Sequence, residues 1–521
     1  MRTFADQCSS LPLSLQWPKS IPTLGLAAAL TAAAAVLAIG VYLAFSGLIY
    51  IQGVEHNVIH TVQTLSMGQP IYTPPDAPPF DMTQYSPLYY VLTAGVLRIL
   101  DVSPLDGSTV AAVARCVSLI CGLALVALLW TMMRLRMPAG PALAVCAFAV
   151  VVSAPWYFLA RPDALTDLLI LASIGATLAM ATAGDRTAHA WAVAAAVAAV
   201  LALAAKQNGV QATMILFASI LWLRRWRLLA TAVITTLIIA GIAWHLTTTF
   251  LGGEVKANAI DGLDNGVDLA KAIKHCYGPV LSAHAFPIAL ILWSALVWLK
   301  PRRRRDDAVL AVSLVVLLAF ASLTALKLGS AENYYNLFLI VGAFVVGLWW
   351  NAARRAGRRN RAWLMATNIV PLYLLLSLPA SAMLLGGRRV IAVTAPGSLT
   401  VAAPLRYEAR LPAVEWIRQR LAGHPEWRVL CLDVGGLVLL PDVCVAPQLD
   451  LCTIVYERGV VDYAQFREMV ADGAVRYVLA GDSSLPPTFL GASMEAYRPV
   501  RRWGTITLFE YLGNDVRAAT R

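Results

Sequence analysis

Four polar clusters interrupt an otherwise apolar chain, and each holds residue types that can do chemistry. The first opens with Gly53-Val54-Glu55-His56 and continues through Gly68-Gln69-Pro70-Ile71-Tyr72 to Gln84-Tyr85-Ser86-Pro87-Leu88-Tyr89-Tyr90. The second is Arg161-Pro162-Asp163, with Asp167 one helical turn on. The third is Lys206-Gln207-Asn208. The fourth starts at Lys327 and runs through Ser330, Glu332, Asn333, Tyr334 and Tyr335. Lipid penalises such side chains, so those that sit at membrane depth ask for a use. Carboxylates, lysines and amides gathered on one face could hold an anionic head group and an acceptor.

Each residue also has a plainer reading. Glu55 could be a solvated acid at a helix end. Asp163 could cap a helix after Pro162 by accepting free amide protons. Lys206 could snorkel from a span end to the interface. Tyr85, Tyr89 and Tyr90 could form an interfacial aromatic belt. His56 and His60, four apart with Glu55 nearby, are weak candidates for a metal, because a third His ligand is not identifiable.

The elements that must position these clusters are membrane helices. The chain has 521 residues, of which 59% are hydrophobic and 14% charged, and its mean hydropathy is +0.67. Soluble domains hold nearer a quarter charged residues. Apolar runs long enough to cross a bilayer recur near 22–50, 110–133, 140–158, 164–183, 188–205, 208–222, 228–247, 278–298, 308–326, 333–350 and 362–385. The first run, from near Ile21, is too long for a cleavable signal and reads as an anchor, with residues 1–20 before it cytoplasmic.

Basic residues set the orientation. Arg134 and Arg136, Arg186, Arg224 with Arg225 and Arg227, Arg302 to Arg305, and Arg354 to Arg361 fall on one side, with Arg2 and Lys19. By the positive-inside rule that side is cytoplasmic. The thirteen residues Leu88 to Leu100 are short for a crossing, and a crossing there would invert almost every later loop. They read as a helix on the outer surface, inside a long outer loop over 52–109. All four polar clusters then share the outer face. The net charge of +11 sits in these loops and not on an aromatic-interleaved surface, so nucleic acid is not an expected partner.

A domain boundary is expected near 386–405, where the long apolar runs stop. Residues 387–521 then form an outer α/β domain, with helices over Leu411 to Leu421 and Asp462 to Val470. Strands are expected over Arg428 to Leu432, Val475 to Ala480 and Ile506 to Tyr511. Cys276, Cys431, Cys444 and Cys452 lie on the outer side, which oxidises thiols in a bacterium. Cys444 and Cys452 could pair across a hairpin. No P-loop or GxGxxG is present, so no nucleotide is expected.

Taken in order, these motifs resemble the polyprenyl- or dolichyl-phosphate-sugar glycosyltransferases of the GT-C superfamily, near the protein O-mannosyltransferase and aminoarabinose transferase branch. The resemblance runs from the acid after the first span through G-x-P-I-Y, Y-S-P-L-Y-Y, A-R-P-D-A-L, A-K-Q-N-G and G-S-A-E-N-Y-Y. Y-E-R-G-V-V-D-Y-A-Q-F and R-Y-V-L add the tail of bacterial members. It implies an inner-membrane enzyme that moves a sugar from a polyprenyl-phosphate donor to a lipid, glycan or protein acceptor. Family members differ in needing a divalent cation. The family's essential first-loop acid, often within an Asp-Glu pair, matches Glu55, while Val54 replaces the Asp. Glu55 and Asp163 are then the expected catalytic carboxylates, since an attacking hydroxyl must lose a proton. Lys206, Arg161 and Lys327 are expected to meet the leaving phosphate. Asn333 and Tyr334 would orient sugar or phosphate, with Gln207, Glu332 and Tyr85 also at the substrate. A transporter or flippase is the alternative, but transporters gather polar groups near the midplane and repeat themselves. Neither feature is evident here.

Overall fold

A computed structural model describes residues 20–48, 54–302, 304–328, 330–355, 407–481 and 488–513. The N-terminal segment before Ser20, the span expected over 362–385 and the boundary at 386–405 lie outside the described residues.

The other ten expected spans all coincide with helices. These are α1 (Ser20–Phe45), α4 (Gly107–Arg134), α5 (Ala139–Tyr157), α6 (Asp163–Thr182), α7 (Asp185–Ala205), α8 (Val210–Trp222), α9 (Trp226–Phe250), α10 (Gly278–Trp298), α11 (Arg305–Ala325) and α12 (Asn336–Arg355). Between α1 and α4 lie two shorter helices, α2 (Glu55–Ser66) and α3 (Leu88–Ile99). Seven described helices are long and apolar enough to cross a membrane. Two expected spans are shorter than anticipated. The first ends at Phe45 because the chain turns at Gly47, whose φ of 64° favours glycine. The sixth, α8, has 13 residues and would reach only ~20 Å at 1.5 Å per residue. A tight turn over Gln207–Gly209 extends it. α3, with 12 residues, is likewise too short to cross.

The helices are built for lipid outside and close packing inside. α9 turns Ile234, Leu237, Ile238, Ile242 and Trp244 outward, which suits a hydrocarbon environment. α12 runs through the centre, with Phe338, Ile340, Phe344 and Val345 fully enclosed. α4 starts at a true cap, where Asp106 accepts the Thr109 N–H at 3.1 Å. The basic loops collect at one end of the bundle. There Arg225 donates to the Met180 carbonyl (3.0 Å) and to Asp185 (3.0 Å), and Asn351 donates to the Arg136 carbonyl (3.2 Å). The polar clusters collect at the opposite end. This is a polytopic α-helical membrane protein with a small α/β domain.

The α/β domain comprises α13 (Leu411–Leu421), β1 (Arg428–Cys431), α14 (Val434–Leu439), β2 (Cys444–Val445), α15 (Leu449–Glu457), α16 (Ala464–Ala471), β3 (Val475–Gly481), β4 (Tyr497–Trp503) and β5 (Ile506–Tyr511). The sheet order is β2-β1-β3-β5-β4. β1 is parallel to β2 and β3, and β5 is antiparallel to β3 and β4. The two residues between paired Trp503 and Ile506 make the β4–β5 hairpin, and Gly504 at φ 57° supplies its left-handed turn position. The expected helices and strands are all present. β2, β4, α14 and α15 are additional.

No hairpin joins Cys444 to Cys452. Cys444 lies on β2, whereas Cys452 lies on α15 with its sulfur 4.0 Å from the Phe80 carbonyl. The first-loop segment around Phe80 is in fact part of this domain. Phe80 and Met82 are fully buried in one core with Leu430, Val445, Val455, Phe466 and Val478. The Phe80 and Phe466 rings lie 5.0 Å apart, and Ala446 N–H donates to the Pro79 carbonyl at 2.8 Å. A second joint forms at α14, where Gln63 donates to the Val438 carbonyl (2.9 Å). Gly107 approaches Val438 so closely that a Cβ would stand 2.5 Å from that carbonyl oxygen.

Candidate active site

Alternating helix ends meet at the polar end of the bundle. Arg161 and Asp163 stand at the start of α6, Lys206 follows α7, Lys327 follows α11, and Glu332, Asn333 and Tyr334 precede α12. Helices that run up and down put every second connection on the same face, so residues 43 to 170 positions apart become neighbours.

Asp163 is the centre. Its carboxylate accepts from Lys206 Nζ (2.7 Å), Arg161 Nε (3.0 Å) and Asn333 Nδ2 (2.6 Å). All four side chains are buried, with Lys206 only 3% exposed. Two plainer readings of the sequence therefore give way. Asp163 caps no amide: the cap position is Pro162, and Asp163 is the first helical residue. Lys206 does not snorkel. Its ammonium lies over the rings of Tyr85 (5.1 Å) and Tyr334 (5.3 Å), which stabilise a desolvated cation. Arg161 lies over Trp156 at 5.1 Å. Burial works to discharge both cations, but the Asp163 charge outweighs it and holds Arg161 and Lys206 above their usual ranges.

Lys327 is different. It makes no ion pair among the described residues, and it is only partly buried. Burial, and then the neighbouring Lys206 charge, lower it to about 8, while Asp264 opposes the shift. Glu332 lies within electrostatic reach of Arg161 and His275, also with no ion pair among the described residues. Gln207 does not face this cluster through its amide nitrogen. That nitrogen donates to the Gln84 carbonyl (2.8 Å) and the Ala259 carbonyl (2.9 Å), tying the first loop to the loop after α9.

Glu55 is linked to this cluster through the backbone at Ala160, next to Arg161. It is fully buried and grips Arg115 of α4 with both oxygens, at 2.8 Å to Nε and 2.9 Å to Nη2. Its Oε1 also accepts the Ala160 N–H at 2.9 Å. It is thus not a solvated acid at a helix end. Arg115 in turn donates to the Leu48 carbonyl (2.8 Å), just beyond α1. Tyr89 supports the same loop: its hydroxyl donates to Ala114 (2.7 Å) and meets Ser118 Oγ (2.9 Å). Ser118 Oγ donates to the Arg161 carbonyl (3.0 Å). Tyr89 and Tyr90 are buried and form no interfacial belt. One turn below Asp163, Asp167 accepts from the Tyr157 hydroxyl at 2.6 Å.

The sequence reading missed Arg115, Ser118, Tyr157 and Trp156. Arg115 had a signal, being a charge inside an apolar span. The other three are ordinary in such runs. His56 and His60 assemble no metal site. His60 Nε2 faces Asp81 at 3.9 Å, Glu55 is taken by Arg115, and no three His, Cys, Asp or Glu side chains are placed to hold a metal among the described residues.

The sequence matches no protein-family model and no curated protein. The structure has relatives. It superposes on ArnT from Cupriavidus metallidurans, in the apo state and bound to undecaprenyl phosphate, each with a TM-score of 0.59 at 14% identity. Each match covers 93% of this chain and 98% of the other. The Archaeoglobus fulgidus oligosaccharyltransferase, in complex with Zn and sulfate, matches with a TM-score of 0.50 at 14% identity, over 89% of this chain and 71% of that one. The chain shares its fold with these two proteins.

Proposed function

We propose that this protein is a glycosyltransferase that takes a sugar from a polyprenyl-phosphate donor and passes it to an acceptor on the extracytoplasmic side. The observation that carries the reading is the buried Arg161–Asp163–Lys206–Asn333 cluster with Lys327, which makes no ion pair among the described residues, beside it. An acceptor nucleophile attacks the anomeric carbon, the carbon–oxygen bond to phosphate breaks, and polyprenyl phosphate leaves. Lys327 meets the departing phosphate, and Lys206 and Arg161 supply fixed positive potential behind it. Asp163 keeps those two cations charged and aimed. Glu332, a carboxylate of this face with no ion pair among the described residues, takes the acceptor's proton. Glu55 acts through the loop it holds, since its oxygens already bind Arg115 and Ala160. Asn333, Tyr334 and Tyr85 line the same face.

The binding of undecaprenyl phosphate by ArnT supports this donor class. The basic loops at the far end of the bundle support a cytoplasmic assignment there, and the proposal accordingly has the active face and the domain over 387–521 outside. The test is transfer of labelled sugar from polyprenyl-phosphate donors in membranes, at matched expression. Wild type should transfer, Asp163→Asn should be nearly dead, and Glu332→Gln should lose turnover and not donor affinity. Equal activity of Asp163→Asn and wild type would remove the cluster from the mechanism. Absence of transfer from any polyprenyl-phosphate sugar would remove the donor class.

A further inference from the structure

The α/β domain holds three thiols that the reaction does not use, and two of them are neighbours. Cys431 ends β1 and Cys444 begins β2, the neighbouring parallel strand. Val429 is the strand partner of Cys444, so Cys431 sits two residues further along on the same sheet face. Both are buried free thiols, at 6% and 5% exposure, and the Cys444 side chain is the main influence acting on the Cys431 thiol. Cys452 is engaged elsewhere, with the Phe80 carbonyl and with Tyr463. Cys276 lies in the segment before α10.

We propose that Cys431 and Cys444 form a disulfide that closes the β1–α14–β2 crossover. The inference rests on the domain facing the oxidising side of the membrane. The oxidant is a thiol–disulfide donor. One cysteine thiolate attacks a donor sulfur, giving a mixed disulfide and releasing the donor's first thiolate. The second cysteine displaces the other donor sulfur. Two cysteine thiols are oxidised, the donor disulfide is reduced to two thiols, and the two protons end on those thiols. In the folded domain the Cys444 contact and burial push the Cys431 thiol well up, so exchange precedes closure of the core.

The bond would brace the element that docks the domain. The crossover carries Asp433, which caps α14 by accepting the Gly436 N–H (2.9 Å) and pairs with Arg410 (2.9 Å). It also carries Val438, the partner of Gln63 and Gly107.

The experiment traps free thiols with N-ethylmaleimide in denatured envelope membranes holding the full chain, then maps unreduced peptides by mass spectrometry. A parallel arm exposes the detergent-solubilised chain to oxidised glutathione before trapping. The expected result is a Cys431–Cys444 linked peptide in both arms, with Cys452 alkylated. Alkylation of both cysteines in both arms would overturn the pairing, and so would a Cys444–Cys452 link. A link formed only with glutathione would keep the pairing and overturn the placement of the domain outside. Dithiothreitol should lower the unfolding midpoint of wild type by roughly 2–3 °C and leave a Cys431→Ser/Cys444→Ser variant unmoved.

Discussion

Asp163 faces two cations and an amide, and its replacement is more than the loss of one contact. Asp163→Ala leaves Arg161 and Lys206 buried with no counter-charge, a change that costs about 3–5 kcal/mol when a buried pair is broken. Transfer should fall by roughly 100-fold or more. Asp163→Ala combined with Lys206→Met should fold better than Asp163→Ala alone, as read by thermal unfolding in detergent, because one stranded charge goes with its partner. Lys327 predicts a pH dependence. Its amine sits at about 8, so raising pH from 7 to 9 discharges it and weakens its hold on an anionic donor. The donor KM should rise across that window in wild type and stay flatter in Lys327→Gln. At this scale several residues singled out in the sequence are also brought together by the fold. Arg161, Asp163, Lys206, Asn333, Tyr334 and Tyr85 do assemble, because helix ends on one face must meet. Their pairing was not legible, since nothing in a one-dimensional string tells that Glu55 is spent on Arg115 while Glu332 is not.

The joint between the first loop and the α/β domain carries its own titration. Burial raises Asp81 to about 7, although the Met82 N–H and Gln448 oppose it. Burial, and then the His56 charge, lower His60 to about 4. Asp81 alone would hold a proton in the folded state that the unfolded chain releases, so its contribution to stability falls as pH rises from about 4 to 7. His60 alone releases a proton that the unfolded chain keeps, so its contribution rises between about 4 and 6.5. The two slopes oppose each other in wild type. His60→Gln should therefore lose stability as pH rises through this window, and Asp81→Asn should gain it, by chemical unfolding at stepped pH. Parallel slopes for the two variants would sink this account. Element boundaries were readable where periodicity was long, as in α6 or α13. The two-residue β2 and six-residue α14 are too short to leave a pattern, and the insertion of Phe80 into a distant core is a tertiary fact.

At the level of the whole molecule, bundle and domain are one structure sharing a core. Removing the chain from residue 405 onward should reduce transfer while the helices still insert, because Phe80 and Met82 lose their cover and Gln63 loses Val438. Protease sensitivity around 77–83 in that truncation would report the uncovered loop, and full activity would refute a role for the domain. The positions of the long apolar helices were legible because apolar length is summed over many residues. The shortness of α1 and α8 was not, since apolar composition continues past the points where the backbone turns.

The sharing of Phe80 and Phe466 in one core also constrains the order of biosynthesis. The two are 386 positions apart (466 − 80) in the chain. At ~5–20 residues per second, the ribosome needs roughly 20–80 s to make the second after the first. For that interval Phe80 and Met82 wait at the membrane surface as an uncovered apolar tip, with every later span still to be inserted. The newborn chain must be shielded during the wait, and the last domain to be made is the one that closes the first loop.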